Sequence, residues 1–158
     1  MRSFEIQKCV LVREKTHEYL PISDKVCEPE DLAKICRDLR LDAAAEEVVS
    51  LFCFNAAGMV TAFSEISHGD VCTSRVHPRE IYKRALLNNA AGIALVHNHP
   101  SGTLEPSYED KFVTRRIAEA GRLLGVELIE HLILTPDGGY YSLRENDGEL
   151  FGGKRSDI

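Results

Sequence analysis

The chain contains no long hydrophobic run. Its apolar stretches fall short of the roughly 18 to 20 consecutive residues that cross a membrane, and the start, Met1-Arg2-Ser3-Phe4-Glu5, lacks the apolar region of a secretory signal peptide. We therefore expect a cytoplasmic protein with no membrane partner. The 158 residues, 44% of them hydrophobic and 28% charged, are enough to bury a core, so we expect one domain.

Paired cysteine motifs are also missing. The odd number of cysteines and the lack of any Cys-x-x-Cys indicate reduced, mostly buried thiols. Zinc deaminases combine His-x-Glu with Pro-Cys-x-x-Cys, and neither motif occurs here, which argues against deamination. The five cysteines are Cys9, Cys27, Cys36, Cys53 and Cys72.

An excess of positive charge is absent as well. The formal net charge of −6 opposes binding to nucleic-acid phosphates, for which clustered lysine and arginine are expected. Basic residues do cluster locally, but charges on helix faces are usually only solvated. We therefore do not expect direct binding of duplex DNA. The two local clusters are Arg75, Arg79, Lys83 and Arg84, and Arg115, Arg116 and Arg122.

The most informative segment present is His-Asn-His-Pro-Ser-Gly at residues 97–102, which is followed by Asp110. The preceding apolar run, residues 92–96, predicts a buried strand. His97 and His99 continue this strand two positions apart, so their side chains leave it on the same face. The two imidazoles are therefore expected to lie side by side.

A loop and a helix follow the two histidines. Residues 100–102 end the strand, and Ser107 stands three residues before Asp110, as in the capping box of a helix. If the loop folds back over the strand end, two nitrogens and one oxygen converge and leave a fourth tetrahedral position to water. Catalytic zinc sites have this pattern, whereas a fourth protein ligand closes a structural site.

Two other interpretations of these residues stay open. His97 and His99 could be hydrogen-bonded polar residues at a strand end, with Asp110 serving only as negative charge at a helix start. Two histidines and a carboxylate also hold iron in oxygenases, although nothing in the sequence suggests the co-substrate site that such an enzyme needs.

Hydrophobic periodicity and turn residues predict an α/β fold, with a mixed α+β sheet flanked by helices. The segments 47–54 and 59–67 are expected to form a hairpin, and residues 145–158, rich in Gly, Asp and Lys, a flexible, frayed tail. The predicted strands are 4–12, 47–54, 59–67, 92–96, 126–134 and 140–143, and the predicted helices are 29–41, 78–89 and one that starts near Ser107 and ends at Gly125.

The run from residue 47 to 144 resembles the JAMM (JAB/MPN) metalloprotease superfamily, and specifically its bacterial RadC-type branch. The superfamily pattern is an upstream glutamate, then His-x-His-Pro, then Ser-x-x-Asp, and every element is present. The resemblance implies a JAB/MPN-like fold with cytidine-deaminase-like architecture. The segments that carry it are His77-Pro78-Arg79-Glu80, Asn88-Asn89-Ala90-Ala91, residues 97–102, Glu105-Pro106-Ser107 with Asp110, Glu130-His131-Leu132-Ile133 and Tyr141-Ser142.

Position by position, the resemblance implies that His97, His99 and Asp110 bind one zinc ion and that Ser107 lies near the oxyanion. Zinc held in this way lowers the pKa of its bound water to about 7, and a hydroxyl donor stabilises the charge that develops on the carbonyl oxygen. Ser107 also has a structural interpretation as a helix cap worth about 1 kcal/mol. The two roles compete, because a zinc-bound Asp110 oxygen cannot at the same time cap the helix.

Three carboxylates are candidates for the general base that accepts the proton of the attacking water. Glu47 matches best, because residues 47–55 resemble the glutamate-led strand of the family. Glu46 is adjacent and Glu65 lies in the next strand, so both remain alternatives. His131 is interpreted as a core histidine with a hydrogen-bond partner or as a support behind the ligands, and His77 as the cap of the helix at Pro78.

The complete ligand set favours a zinc-dependent hydrolase, a metallopeptidase or isopeptidase that acts on an extended peptide or protein. The alternatives are a DNA-associated repair or mobile-element factor, as the family's name suggests, and a non-catalytic scaffold. Full-length RadC-type proteins resemble a fusion with an N-terminal helix-hairpin-helix-like region, but the first glycine here is Gly58. Residues 1–45 are therefore expected to add a strand and a helix at the edge of a catalytic domain at 46–144. The substrate and the oligomeric state stay open.

Overall fold

The computed structural model describes residues 26–69 and 76–152, so the strand predicted for residues 4–12 lies outside the described residues. The elements are α1 (Pro29–Asp38), β1 (Val48–Phe54), β2 (Val60–His68), α2 (Pro78–Leu87), β3 (Gly92–Asn98), α3 (Tyr108–Leu124), β4 (Glu127–Leu134), β5 (Tyr140–Ser142) and α4 (Leu143–Asn146). Short 3-10 helices lie at Leu41–Ala43 and Gly148–Phe151.

The five strands form one mixed sheet in the order β2-β1-β3-β4-β5. Strands β3 and β4 are parallel and are linked by α3, whereas the other neighbouring strands are antiparallel. Strands β1 and β2 form the predicted hairpin. The predicted class, a mixed sheet with flanking helices, is confirmed. No helix in the described ranges is both long and apolar enough to cross a membrane.

Each face of the sheet carries its own hydrophobic cluster, because side chains alternate along the strands. On one face, Leu51 and Leu95 pack with residues of α2 and α3. On the other, Phe52 and Val96 pack with α1. Helix α1 thus covers a face of the sheet and contributes to a core, whereas we expected it at the domain's edge. The division of the chain at residues 45 and 46 stays a prediction.

The prediction of a frayed tail is wrong for residues 145–152. Helix α4 and the 3-10 helix at Gly148–Phe151 continue the fold directly after β5. Leu150 and Phe151 are buried in the cluster under α3, and the Arg144 guanidinium lies 4.9 Å from the centre of the Phe151 ring. These two apolar side chains hold the segment against the core. The prediction missed them because the residues around them are mostly polar.

A buried carboxylate ties β4 to the segment after β5. Glu130 is 7% exposed and accepts hydrogen bonds from the Ser142 hydroxyl (2.8 Å) and from the backbone N–H groups of His131 (2.7 Å) and Arg144 (3.3 Å). Burial raises the pKa of Glu130 from its ordinary value of 4.5 to about 7, against the opposing effect of these donors. The group should therefore make stability depend on pH.

Glu130→Gln is expected to remove that dependence. An acid with a raised native pKa stabilises the fold while it is protonated, and this stabilisation is lost as pH rises from 4.5 through 7. The free energy of unfolding of the variant should therefore gain about 3 kcal/mol relative to wild type between pH 4.5 and 8. Denaturant unfolding across this range measures it. Glu127→Gln, on the same strand but part exposed beside Arg144, is the control, and an equal gain there would contradict the assignment.

Candidate metal centre

Two of the candidate ligands lie at the carboxyl end of the central strand β3. His97 pairs with Val49 of β1 on one side and with Ile133 of β4 on the other. His99 follows directly after the strand, and its backbone N–H donates to the Leu134 carbonyl at 2.8 Å. Because neighbouring strands hold this backbone from both sides, the two imidazoles have a rigid support.

The third candidate ligand is fixed by the start of α3. Ser107 is the N-cap, and its hydroxyl accepts from the Asp110 N–H at 3.1 Å. The Ser107 backbone N–H and hydroxyl donate to Asp110 Oδ2 at 2.8 and 2.7 Å, while Oδ1 lies 3.2 Å from His97 Nε2. The competition that we expected between capping and metal binding does not arise, because the two carboxylate oxygens divide the roles.

The three side chains converge on one point. His97 Nε2 lies 3.0 Å from His99 Nε2 and 3.2 Å from Asp110 Oδ1, the carboxylate oxygen that does not cap the helix. A tetrahedron with zinc–ligand bonds of 2.0–2.1 Å has edges of about 3.3 Å, so these spacings suit three ligands of one ion. All three residues are buried and form a group that could hold a metal ion.

The protons on the rings also suit a cation at this point. His99 Nδ1 lies 2.6 Å from the Thr103 carbonyl, which only accepts, so Nδ1 carries the hydrogen and Nε2 of the neutral ring offers a lone pair to the centre. His97 Nδ1 is likewise occupied, 2.9 Å from His131 Nε2. When both rings are neutral, their Nε2 lone pairs and the Asp110 carboxylate face one point, where a bound cation would be stabilised.

Mutual contact shifts the pKa values of the cluster. The hydrogen bond with Asp110 raises the pKa of His99, against the opposing effect of burial. Burial alone would raise the pKa of Asp110, but His97, His99 and the Ser107 hydroxyl together hold it well below its usual range. The Asp110 side chain is therefore a carboxylate and is available as an anionic ligand.

Asn98, between the two histidines, holds the segment that carries the candidate general base. Its side-chain amide donates to the carbonyls of Ala44 (3.1 Å) and Glu46 (3.0 Å), and its Oδ1 accepts from the Val48 N–H at 2.8 Å. The contacts bracket Glu47 on both sides. No local sequence pattern indicates this role, because Asn98 contacts residues about fifty positions away in the chain.

Residues 26–148 match the sequence family described as the RadC-like JAB domain. The chain belongs to this family. It is 34% identical to a UPF0758 protein of Clostridioides difficile strain 630 over 145 aligned residues. The aligned region covers 92% of the chain and 61% of that protein. A UPF0758 protein of Clostridium perfringens is 40% identical over 123 residues, 78% of the chain and 53% of that protein. The chain thus spans about half to three fifths of the length of these relatives.

In this RadC-like JAB domain, the three candidate bases lie in different places. Glu47 is two residues before Val49, so the alternation of β1 directs it to the face of His97. Its charge is among the smaller contributors, after the Asp110 hydrogen bond, to the raised pKa of His99. The Glu47 carboxylate therefore lies near enough to His99 to favour its charged form.

Glu65 is directed away from that cluster. It pairs with Ser50, whose neighbour on β3, Val96, belongs to the hydrophobic cluster under α1, and its carboxylate lies 3.1 Å from His68 Nε2. Glu46 and Glu65 both line a cleft of about 370 Å³ between β2 and the 3-10 helix at Leu41–Ala43. Geometry in the RadC-like JAB domain therefore favours Glu47 over either alternative.

The remaining histidines of interest have structural partners. His77 caps α2, as predicted, and its Nδ1 accepts from the Arg79 N–H at 3.2 Å. His131 is buried, and burial, followed by the nearby His97, lowers its pKa to about 3. One of its ring nitrogens contacts His97 and the other contacts Thr114. Thr114 carried no signal in the sequence, since nothing local distinguishes it from any other helix residue.

Proposed function

We propose that this protein is a zinc-dependent hydrolase that cleaves peptide or isopeptide bonds in an extended chain. The observation that carries the proposal is the convergence of His97, His99 and Asp110, three buried donors with spacings that suit a tetrahedral ion. Within the described ranges the group has three members, which leaves a coordination position to water and substrate, as in catalytic zinc sites.

The chain's own residues supply the proton transfers. Bound zinc would act as a Lewis acid and lower the pKa of water to about 7. Glu47 accepts the proton of the water whose oxygen attacks the carbonyl carbon, and it delivers that proton to the amine nitrogen as the carbon–nitrogen bond breaks. Both products then leave, with no covalent intermediate on the protein.

We assign the stabilisation of the oxyanion to Ser107. Its hydroxyl donates to Asp110 Oδ2 in this structure, and in the reaction it turns to the carbonyl oxygen on which charge develops. The Ser107 backbone N–H, at 2.8 Å, keeps Asp110 Oδ2 hydrogen-bonded during this change. One residue can thus serve as both a helix cap and an oxyanion donor.

Local contacts of the basic residues support a peptide substrate over duplex DNA. Arg79, Lys83 and Arg84 all pair with Glu80, and Arg122 donates to the Phe151 carbonyl. With a net charge of −6 as well, these pairings reduce the positive charge that these groups offer to phosphates. We therefore propose that any role near DNA is exerted through a protein substrate.

Removal of the metal tests the proposal. Zinc-loaded protein should hydrolyse members of a pool of unstructured or isopeptide-linked peptides, with new amines as the readout. Dialysis against a chelator should abolish hydrolysis, and added zinc should restore it where added magnesium does not, because nitrogen donors favour zinc. Hydrolysis that persists after chelation, or no hydrolysis of either peptide type by zinc-loaded protein, would contradict the proposal.

A further inference from the structure

We propose that His131 is a positioning residue that holds His97 in the tautomer able to bind zinc. The inference rests on the zinc site of the proposed function. Its basis is a chain of three hydrogen bonds from His97 through His131 and Thr114 to the backbone carbonyl of Asp110. This series of hydrogen bonds thus begins at one candidate ligand and ends at another.

The three contacts are short and lie within the core. His97 Nδ1 is 2.9 Å from His131 Nε2, His131 Nδ1 is 2.6 Å from Thr114 Oγ1, and Thr114 Oγ1 is 2.6 Å from the Asp110 carbonyl oxygen. All four residues are at most 3% exposed. Bulk water therefore cannot replace a lost partner, and each group depends on its neighbour in the chain.

When both imidazole rings are neutral, the donors and acceptors of these three hydrogen bonds can be arranged in only one direction. The Asp110 carbonyl can only accept, so Thr114 donates its single hydroxyl hydrogen to it. Thr114 Oγ1 must then accept from His131 Nδ1, which leaves a lone pair on His131 Nε2. That lone pair accepts from His97 Nδ1–H, and the remaining lone pair of His97, on Nε2, faces the metal cluster.

These hydrogen bonds also connect β3 and α3, the two elements that position the candidate ligands. His131 lies opposite Leu95 on the parallel neighbour of β3, and Thr114 stands one helical turn after Asp110 on α3. A core histidine needs only two hydrogen-bond partners of any kind, whereas both partners of His131 lead to a candidate ligand. Outer partners of this sort fix the orientation and basicity of metal-bound histidines.

The test compares His131→Leu, which lacks the acceptor, with His131→Gln, whose side-chain oxygen can still accept from His97. In zinc-free protein, ring nitrogen NMR should show His97 protonated on Nδ1 in wild type and largely on Nε2 in His131→Leu. The zinc dissociation constant, measured by competition with a chromophoric chelator, should rise roughly 10- to 100-fold in His131→Leu. His131→Gln should recover most of that loss.

Two further variants separate positioning from general stability. Thr114→Val removes the hydroxyl, keeps the shape, and should shift the tautomer and the affinity in the same direction, so it carries the test if His131→Leu does not fold. Leu128→Ala, a core change that pairs with Ile93 at the other end of β4, should lower stability without altering either readout.

Some outcomes would overturn the inference. They are an unchanged His97 tautomer in both His131→Leu and Thr114→Val, or a zinc affinity that follows stability alone and falls equally in Leu128→Ala. Failure of the proposed function would give a different experimental result. If wild type binds zinc with His97 in the expected tautomer but cleaves no peptide, the hydrolase proposal fails and the role of His131 stands.

Discussion

Glu47→Gln is expected to lower the turnover of peptide hydrolysis by roughly 10²- to 10⁴-fold while zinc content stays at the wild-type level. Glutamine keeps the shape of the side chain and loses the ability to accept a proton. Because Asn98 holds the backbone on both sides of residue 47, the substitution should leave the surrounding segment in place. Single-turnover hydrolysis, together with elemental analysis of the same sample, measures both quantities.

The two neighbouring carboxylates are matched controls for this prediction. Glu46→Gln and Glu65→Gln remove the same charge from residues that line the cleft between β2 and the 3-10 helix, and both should keep near-normal turnover. Normal cleavage by Glu47→Gln beside an inactive Glu65→Gln would show that the assigned base is on the wrong strand. Loss of zinc from Glu47→Gln would make Glu47 a ligand.

Wild-type protein should contain about one zinc per chain, and His97→Ala should contain none. Removal of one of three ligands leaves a histidine and a carboxylate, too few to hold the ion during purification. Asp110→Asn should weaken binding without abolishing it, because the amide keeps an oxygen that can bind the metal but loses the charge. Elemental analysis and chelator competition report the two effects.

An exposed histidine provides the control for the metal prediction. His68 contacts Glu65 on the opposite face of the sheet, so His68→Ala should retain full zinc content. Zinc loading should also raise the free energy of unfolding of wild type by about 2.7 kcal/mol at a hundredfold excess over its dissociation constant, and leave His97→Ala unaffected. Metal-free wild type, or iron at one per chain, would contradict the zinc assignment.

Features that depend on neighbouring residues in the chain were accessible from the sequence. The i and i+2 spacing of His97 and His99 and the capping pattern of Ser107 and Asp110 depend only on strand and helix periodicity, and the structure brings the three candidate ligands together. The hairpin of β1 and β2 followed from alternation and a turn between them. Short-range geometry was enough for each of these predictions.

Features that depend on long-range pairing were not accessible. Nothing in the local sequence distinguishes Asn98 from any other residue between two histidines. Its contacts with residues 44–48 exist only because β1 lies beside β3. Ile129 is two positions before His131, the spacing of residues on one face of a regular strand, but it packs on the other side, because a register irregularity in β4 at that point shifts the alternation. The contact of Thr114 with His131 exists only because β4 packs against α3.

The placement of Asn98 has a consequence for how the site assembles during folding. All three candidate ligands lie between residues 97 and 110, so a strand end, a loop and one helical turn bring them together by local contacts. Glu47 and His131 arrive only when β1 and β4 dock on either side of β3. We therefore expect the three candidate ligands to approach one another earlier in folding than Glu47 and His131 reach them, because the latter two depend on the non-local pairing of the sheet. On the proposed function, a partly folded chain would bring the candidate ligands together while it still lacks the general base.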